Sequence, residues 1–245
     1  MSENFTLIDG KAVAADLRKT VQEHVTQMSV KPGLAVILVG DDPASEVYVK
    51  NKIKACKEVG IESFEHRLPA ETGQEELLSV IKSLNADTSV HGILLQLPLP
   101  KHLDSQSAIE AIDPVKDVDG LHPVNIGRLV SGLDGLVPCT PEGARILLKV
   151  VQEDMTGMTA VVLGRSLLFG KPMGQIMIQE NATLIQCHSR SKDLARICAG
   201  ADILITAVGQ PQMVKADWVK DGAIVIDVGI NRVDNPDKPG KTKLV

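Results

Sequence analysis

The sequence predicts an α/β protein with two domains, each built on a parallel sheet that helices cover on both faces. Short aliphatic runs alternate along the chain with segments whose apolar residues recur at helical spacing, a pattern typical of parallel-sheet folds. A stretch with several Gly, Pro and Asp residues and little periodicity, residues 114–141, interrupts the alternation. At roughly 100 to 200 residues per domain, the 245 residues favour domains at 1–139 and 140–245 with a cleft between them.

The elements of the first half are marked by residues that start or stop helices. Pro43 suits the first turn of a helix, and Gly60 suits the position just after its end. The spacing predicts helices at 10–28, 43–59 and 74–84, and strands at 34–39, 61–68 and 92–97.

The second half repeats this alternation and predicts a second doubly wound unit. Strands are expected at 159–163, 182–187, 202–207 and 223–228, and helices at 172–180 and 192–199. Residues 139–142 resemble a helix start, with Thr140 as the cap and Pro141 in the first turn. Residues 235–243 are rich in Pro, Lys and Asp and are expected to form a mobile loop.

Composition narrows the class of function. The formal net charge of -5 provides no basic field for nucleic acid or an anionic membrane surface, so a small-molecule ligand is favoured. The start of the chain lacks the pattern of a secretory signal, and no apolar run reaches the roughly 20 residues that span a bilayer. We therefore expect a cytoplasmic protein with no membrane partner.

Two features argue against a bound metal. The four cysteines are scattered without Cys-x-x-Cys spacing, so neither a zinc site nor a disulfide framework is indicated. Asp117 and Asp119 stand two residues apart, but no His or Glu at ligand spacing supports a cation there. A turn or a ligand contact is the preferred interpretation of this acidic pair.

A turn bounded by glycines follows the first predicted strand of the second half. Gly164, Arg165 and Ser166 open this turn, and a helix begins near Pro172. Unpaired N–H groups and the positive end of the helix dipole bind phosphate well in such a place. The spacing differs from Gly-x-Gly-x-x-Gly, so both a Rossmann-like dinucleotide site and an ordinary tight connection remain open.

The end of the next strand bears on cofactor choice. His188, Ser189 and Arg190 stand where an NAD-specific domain usually has an acid for the ribose hydroxyls. Hydroxyls and a cation suit a 2′-phosphate and favour NADP, although a solvated polar loop is the alternative. Further strand ends would share the same carboxyl edge, where ligands bind, at Val208, Gly209, Gly229 and Ile230.

The first half contains a candidate acid/base. Ser45, Tyr48 and Lys52 fall at i, i+3 and i+7 and so share one helix face. Lys52 is either a general acid/base or a surface lysine whose stem lies over the tyrosine. Gln96, near a strand end, is either a structural hydrogen-bonding residue or a ligand contact.

Taken together, these segments resemble the bifunctional methylenetetrahydrofolate dehydrogenase/methenyltetrahydrofolate cyclohydrolase family. Six stretches match in the family's order and at nearly its spacing across almost the whole chain. They are Tyr-Val-Lys-Asn-Lys at 48–52, Val-His-Gly-Ile-Leu-Leu-Gln-Leu-Pro at 90–98, Lys-Asp-Val-Asp-Gly at 116–120, Pro-Cys-Thr-Pro at 138–141, Gly-Arg-Ser at 164–166 and Asp-Val-Gly-Ile-Asn at 227–231.

The resemblance implies a folate-binding catalytic domain followed by an NADP-binding domain, with folate in the cleft. Tyr48 would stack on the folate, Lys52 would be the catalytic lysine, Gln96 would support it, and Asp119 would orient the pterin. The substrate contacts it implies also include Ser45, Leu97 and Pro98.

The resemblance also implies the cofactor contacts. Arg165, Ser166 and Ser189 would hold NADP phosphates, and Gly209 and Ile230 would lie on the ribose and nicotinamide side. The full set of cofactor-binding residues adds Thr140, Gly164, His188, Arg190, Val208 and Gly229.

The implied chemistry is oxidation of 5,10-methylenetetrahydrofolate by NADP, then hydrolysis of the methenyl cation to 10-formyltetrahydrofolate, in a homodimer. Family members usually continue past a position like Val245, through a Pro-Gly-Gly-Val-Gly-Pro loop and a final helix. This sequence departs from the family in containing neither the loop nor the helix. Either ligand binding is weaker without them, or the protein has further residues beyond this sequence. The departure also motivates an alternative, a non-catalytic nucleotide-binding or regulatory module; a Schiff-base enzyme using Lys52 is a third possibility.

Overall fold

The computed structural model describes residues 5–234 and 242–244. Contacts within the chain divide it into two compact units, Met1–Cys139 and Thr140–Val245. Each unit has its own parallel sheet, and the class predicted for the chain, an α/β protein with parallel sheets, is confirmed.

The first unit is built around a sheet of parallel strands in the order β2-β1-β3. The central strand β1 is almost wholly buried because a strand with neighbours on both sides and helices on both faces meets little water. The elements are α1 (Gly10–Gln27), β1 (Gly33–Val39), α2 (Pro43–Val59), β2 (Glu62–Leu68), α3 (Gln74–Ala86), β3 (Gly92–Leu95), α4 (Ser105–Ala111) and α5 (Pro123–Val130).

Local sequence sets the bounds of α2, the helix that carries Lys52. Its first turn holds Pro43, and the Asp42 carboxylate accepts a hydrogen bond from the Ser45 N–H at 2.8 Å. Gly60 ends the helix in the left-handed conformation, at φ +87°, which a residue without Cβ adopts at little cost. The observed bounds match the predicted range 43–59.

The second unit contains a parallel sheet in the order β5-β4-β6-β7. The chain leaves β4 first to one side and then to the other, so the order of strands reverses between β4 and β6, where doubly wound folds bind ligands. The elements are α6 (Cys139–Val151), β4 (Thr159–Leu163), α7 (Gly170–Gln179), β5 (Thr183–Cys187), α8 (Leu194–Cys198), β6 (Ile203–Thr206), a short 3₁₀ helix (Ala216–Trp218), β7 (Ile224–Asp227), β8 (Arg232–Asp234) and β9 (Thr242–Leu244).

Short elements account for most of the differences from prediction. The helices α4 and α5 have only 7 and 8 residues, too few for a periodic pattern to stand out. Thr140 lies inside α6, which begins at Cys139, so its predicted role as the cap is wrong. Of the predicted loop 235–243, residues 235–241 lie outside the described residues. Its last two positions are wrong because they belong to β9, which pairs with β8.

No helix among the described residues is long and apolar enough to cross a bilayer.

Candidate functional site

In the first unit, the structure brings three of the predicted residues together. The Lys52 Nζ donates to Gln96 Oε1 at 3.4 Å, although the two residues lie 44 positions apart in the chain. Gln96 follows β3 directly, and its own amide donates to the Leu97 carbonyl at 2.6 Å. The amide is therefore oriented by its neighbour and turns its oxygen towards the lysine.

Asp119 is the acidic member of this group. Burial raises the pKa of its carboxyl above the ordinary value of 3.8, the positive charge of Lys52 lowers it, and the negative charge of Asp117 raises it again. Burial and a like charge both disfavour the ionised form. Perturbed carboxyls of this kind concentrate at functional sites.

Cys139 was assigned no site role from the sequence, although it lies in the matching stretch at 138–141, yet it joins the same group. Its Sγ donates to the Val118 carbonyl at 3.2 Å. Cys139 is exposed as a residue, but partial desolvation of its sulfur raises the pKa of the thiol, and the charge of Asp119 raises it further while Lys52 opposes the effect. A raised pKa keeps the sulfur in its less nucleophilic thiol form, so Cys139 acts here as a neutral neighbour.

The other predicted substrate contacts differ in exposure. Tyr48, one turn before Lys52 on α2, is 45% exposed and free to meet a ligand, whereas Ser45 is only 3% exposed. Leu97 is partly buried and Pro98 is exposed. Ser45 therefore offers little surface to a substrate, while Tyr48 and Pro98 offer a good deal.

In the second unit, the turn between β4 and α7 depends on two glycines. Gly164 has φ +138°, and a Cβ there would lie 2.9 Å from the Ala207 carbonyl oxygen. A Cβ on Gly170 would lie 2.4 Å from the backbone of Gly164. Side chains at either position would push the turn open.

The beginning of α7 presents the positive end of a helix dipole, but most of its first N–H groups are already bonded. The Lys171 N–H donates to the Ser166 carbonyl at 3.0 Å, the Met173 N–H donates to the Phe169 carbonyl at 2.8 Å, and Pro172 has no N–H. The N-cap residue, Phe169, makes no capping hydrogen bond, so the first N–H groups lack a side-chain acceptor from the cap. The Ser166 hydroxyl accepts from the Gly170 N–H at a long 3.4 Å. The weakly held Gly170 N–H and the helix dipole suit a phosphate.

Two cavities lie along the carboxyl edge of this sheet. The larger, about 660 Å³, is lined by Leu163, Gly164, Arg165, Cys187, His188, Ser189, Leu194, Val208, Gly209, Gln210 and Met213. The smaller, about 320 Å³, is lined by Thr140, Ser166, Leu168, Phe169, Ala207, Val208, Gly209, Val228, Gly229 and Ile230. Of the predicted cofactor residues, Arg190 alone lines neither cavity; its N–H donates to His188 Nδ1 at 3.1 Å and the residue is exposed.

Sequence reasoning assigned no role to a pair that holds the last strand ends of this sheet together. The buried Thr206 hydroxyl donates to Asp227 Oδ1 at 2.6 Å, and the same oxygen accepts from the Gly229 N–H at 2.8 Å. The bond between the ends of β6 and β7 fixes the position of Gly229 at the smaller cavity. Only an Asp-x-Gly spacing hints at it in the sequence.

Among the described residues, no group of three or more His, Cys, Asp or Glu side chains is arranged to hold a metal ion.

Comparison with known proteins finds matching domains and similar proteins for both units. Residues 8–119 match the catalytic domain of the tetrahydrofolate dehydrogenase/cyclohydrolase family, and residues 138–244 match its NAD(P)-binding domain. The bifunctional protein FolD of Rhodopseudomonas palustris (strain HaA2) is 59% identical over 98% of this chain and 82% of its own length.

Solved structures of two relatives superpose closely. The bifunctional FolD methylenetetrahydrofolate dehydrogenase/cyclohydrolase of Campylobacter jejuni is 45% identical, with a TM-score of 0.92 over 98% of this chain and 85% of its own. The methylenetetrahydrofolate dehydrogenase-cyclohydrolase of Trypanosoma brucei, crystallised with NADP and an inhibitor, is 38% identical, with a TM-score of 0.92 over 98% of this chain and 84% of its own.

Proposed function

Because the chain belongs to the tetrahydrofolate dehydrogenase/cyclohydrolase family, we propose that it oxidises 5,10-methylenetetrahydrofolate with NADP and hydrolyses the resulting methenyl compound to 10-formyltetrahydrofolate. The observation that carries the proposal is the contact between Lys52 and Gln96 beside Asp119. The relatives named above are enzymes, so the alternative of a non-catalytic module is not favoured.

In the first unit, we assign the folate to the surface around Tyr48 and Lys52. The exposed Tyr48 ring offers a flat apolar face for stacking on a pterin. Asp119 orients the pterin, and Leu97 and Pro98 border it; Ser45, nearly buried, supports the helix that presents the other residues.

Hydrolysis needs a proton moved as water adds to the methenyl carbon and the ring opens. Lys52 is the group for this step, since positioned side chains contribute typically 10² to 10⁴-fold by proton transfer. Gln96 holds the lysine through its carbonyl oxygen, which keeps Nζ in one place between turnovers. Asp119 supplies a negative charge near Lys52 whenever its carboxyl is ionised.

In the second unit, we assign NADP to the two cavities and the turn at Gly164. Arg165, Ser166 and Ser189, with the positive end of the α7 dipole, would hold the phosphates, and Gly209, Gly229 and Ile230 would border the nicotinamide side. His188 and Arg190 stand near the 2′-phosphate end, where the described strand end has no acid to repel it. Bound there, NADP would supply the acceptor for the hydride of the methylene bridge, and the part of these residues would be to orient it.

Turnover tests the proposal directly. The purified chain mixed with 5,10-methylenetetrahydrofolate and NADP should generate NADPH absorbance, and added 5,10-methenyltetrahydrofolate should lose its own absorbance faster than in a protein-free blank. A folded sample that binds NADP by calorimetry but turns over neither substrate would reject it.

We further propose a cytoplasmic homodimer, on the strength of the family relationship. Light scattering coupled to size exclusion should give twice the mass of one chain. A monomeric mass across the micromolar range would reject the dimer without touching the proposed chemistry.

A further inference from the structure

The segment that carries Asp119 is attached to the edge of the first sheet. The Ile93 N–H donates to the Lys116 carbonyl at 2.7 Å, and Ile93 and Asp117 form a parallel bridge. A Cβ on Gly92 would lie 2.4 Å from Val118 Cγ1, so the glycine lets the segment approach β3 closely. Residues 116–118 therefore continue the sheet beyond β3.

Lys116 fastens the start of this segment to α3. Its Nζ donates to three carbonyl oxygens at the end of that helix, those of Leu84 at 3.1 Å, Asn85 at 2.8 Å and Asp87 at 2.8 Å. Carbonyls at a helix end lack partners within the helix, and a cation there also meets the negative end of the dipole. Lys116 thus holds the start of the segment against the end of α3.

Asp117 holds the segment to the residues that follow it in the chain. It is 2% exposed, and its Oδ2 accepts from the His122 N–H at 2.8 Å and from Asn125 Nδ2 at 2.9 Å. Asn125, 3% exposed, also donates to the Pro114 carbonyl at 2.8 Å. The carboxylate therefore closes the loop from 114 to 125 on itself and has almost no surface left for a substrate.

We propose that Asp117 is a positioning residue for the proposed reaction. Held by His122 and Asn125, it fixes the turn that carries Asp119, and it places a second negative charge close to the Asp119 carboxyl. The inference rests on the proposed function for the meaning of Asp119. Asp117 itself touches neither folate nor cofactor.

The charges that face Asp119 explain what Asp117 adds. Lys52 approaches from α2, Asp117 from the same turn, and the Cys139 thiol from the beginning of α6. Of the two charged neighbours, Lys52 lowers the pKa of Asp119 and Asp117 raises it. Removing the Asp117 charge should therefore let Asp119 lose its proton at a lower pH.

The structure offers a substitution that separates charge from shape. Both hydrogen bonds to Asp117 end on the same oxygen, so the amide oxygen of Asp117→Asn can accept both while the charge is lost. Asn125→Ala does the converse, since it keeps the charge and removes the hydrogen bonds that Asn125 donates to Asp117 and to the Pro114 carbonyl. Asp113→Asn is the matched control: its Oδ1 accepts from the Val115 N–H of the same loop at 3.0 Å, and it is not among the charges that act on Asp119.

The first measurement is the pH profile of methenyl hydrolysis after subtraction of the uncatalysed rate. Asp117→Asn should move the acid midpoint to lower pH with the folate KM within about two-fold of the parent, whereas Asp113→Asn should move neither. Asn125→Ala should raise the folate KM by about 5- to 100-fold, the scale of two lost hydrogen bonds, with a smaller movement of the midpoint.

The second measurement does not depend on turnover. A titration of ¹³C-labelled aspartate carboxyls by NMR, with the Asp119 signal assigned by its loss in Asp119→Asn, should show Asp119 titrating at lower pH in Asp117→Asn. A shifted titration in a chain without turnover would keep the placement of Asp117 and reject the proposed function.

An unshifted titration and an unchanged pH midpoint in an active, folded Asp117→Asn protein would overturn the inference and leave the proposed function standing. Circular dichroism checks folding. Should Asp117→Asn not fold, Asn125→Ala decides the matter through its KM, and a parental KM would overturn the positioning role.

Discussion

The two units place polar groups in different ways. In the first unit the candidate site consists of side chains that other side chains orient, as Gln96 orients Lys52. In the second it consists largely of backbone, with glycine turns and an uncapped helix beginning at strand ends. Proton transfer requires groups of adjusted acidity, whereas hydride transfer by a bound cofactor requires mainly a shaped surface. The contrast fits a division of labour between the units.

The largest expected effect comes from removing the proton-transfer group of the first unit. Lys52→Met should lower methenyl hydrolysis by roughly 10²-fold or more, since it removes the proton-transfer group. Stopped-flow absorbance measures the rate, and calorimetry should find NADP affinity unchanged. The matched control is Lys54→Met on the same helix, whose parent side chain is 77% exposed. Hydrolysis at the parental rate would remove Lys52 from the mechanism.

The second unit's dependence on backbone shape is tested by Gly170→Ala. The added Cβ would meet the backbone of Gly164 at 2.4 Å, and relief of such crowding typically costs about 1–3 kcal/mol. We expect NADP affinity to fall at least about 10-fold by fluorescence titration, with hydrolysis of methenyltetrahydrofolate retained. Gly143→Ala, where no atom lies within 4 Å of the new Cβ, should bind NADP normally. Equal affinities in the two variants would contradict the role of the turn.

Asp119→Asn tests the first unit through the free energy of unfolding and its dependence on pH. Because the pKa of Asp119 is raised in the folded protein, mainly by burial, the folded state holds this proton longer than the unfolded state. Stability is therefore lost as pH rises from the ordinary value of 3.8 through the raised one. The Asn variant escapes that loss.

The measurement is urea unfolding of both proteins from pH 4 to pH 7. The variant's advantage should grow with pH and reach about 0.5–2 kcal/mol, the usual range of stabilising substitutions. Asp134→Asn, an exposed position, serves as the control. A variant that is less stable than the parent at pH 7 would mean that Asp119 is paired more favourably than its burial indicates.

The smallest expected effect concerns the buried hydroxyl of the second unit. Thr206→Val keeps the shape but removes the donor to Asp227, and one hydrogen bond contributes about 0.5–1.5 kcal/mol. NADP should bind about 2- to 10-fold more weakly because the backbone at Gly229 loses its fixed position. Thr183→Val, at an exposed site on β5, should bind as the parent does. A change in hydrolysis without a change in NADP binding would contradict this assignment.

The α/β class, most of the long elements and the two segments around which the candidate sites form could be predicted from the sequence. These features depend on local signals, such as Pro43 and Gly60 at the ends of α2 or the glycines at 164 and 170, which act within a few residues. The face shared by Tyr48 and Lys52 also follows from helix geometry alone.

The contacts between distant segments came from the folded structure. Spacing left Lys52 open between a surface lysine and an acid/base, and the contact with Gln96, 44 positions away, supports the proposed acid/base role. The burial of Asp117, the place of Cys139 and the Thr206–Asp227 bond likewise arise where strands and loops distant in sequence meet. No local sequence pattern indicates such contacts, because burial and neighbouring charges depend on the surroundings of a residue and not on its type.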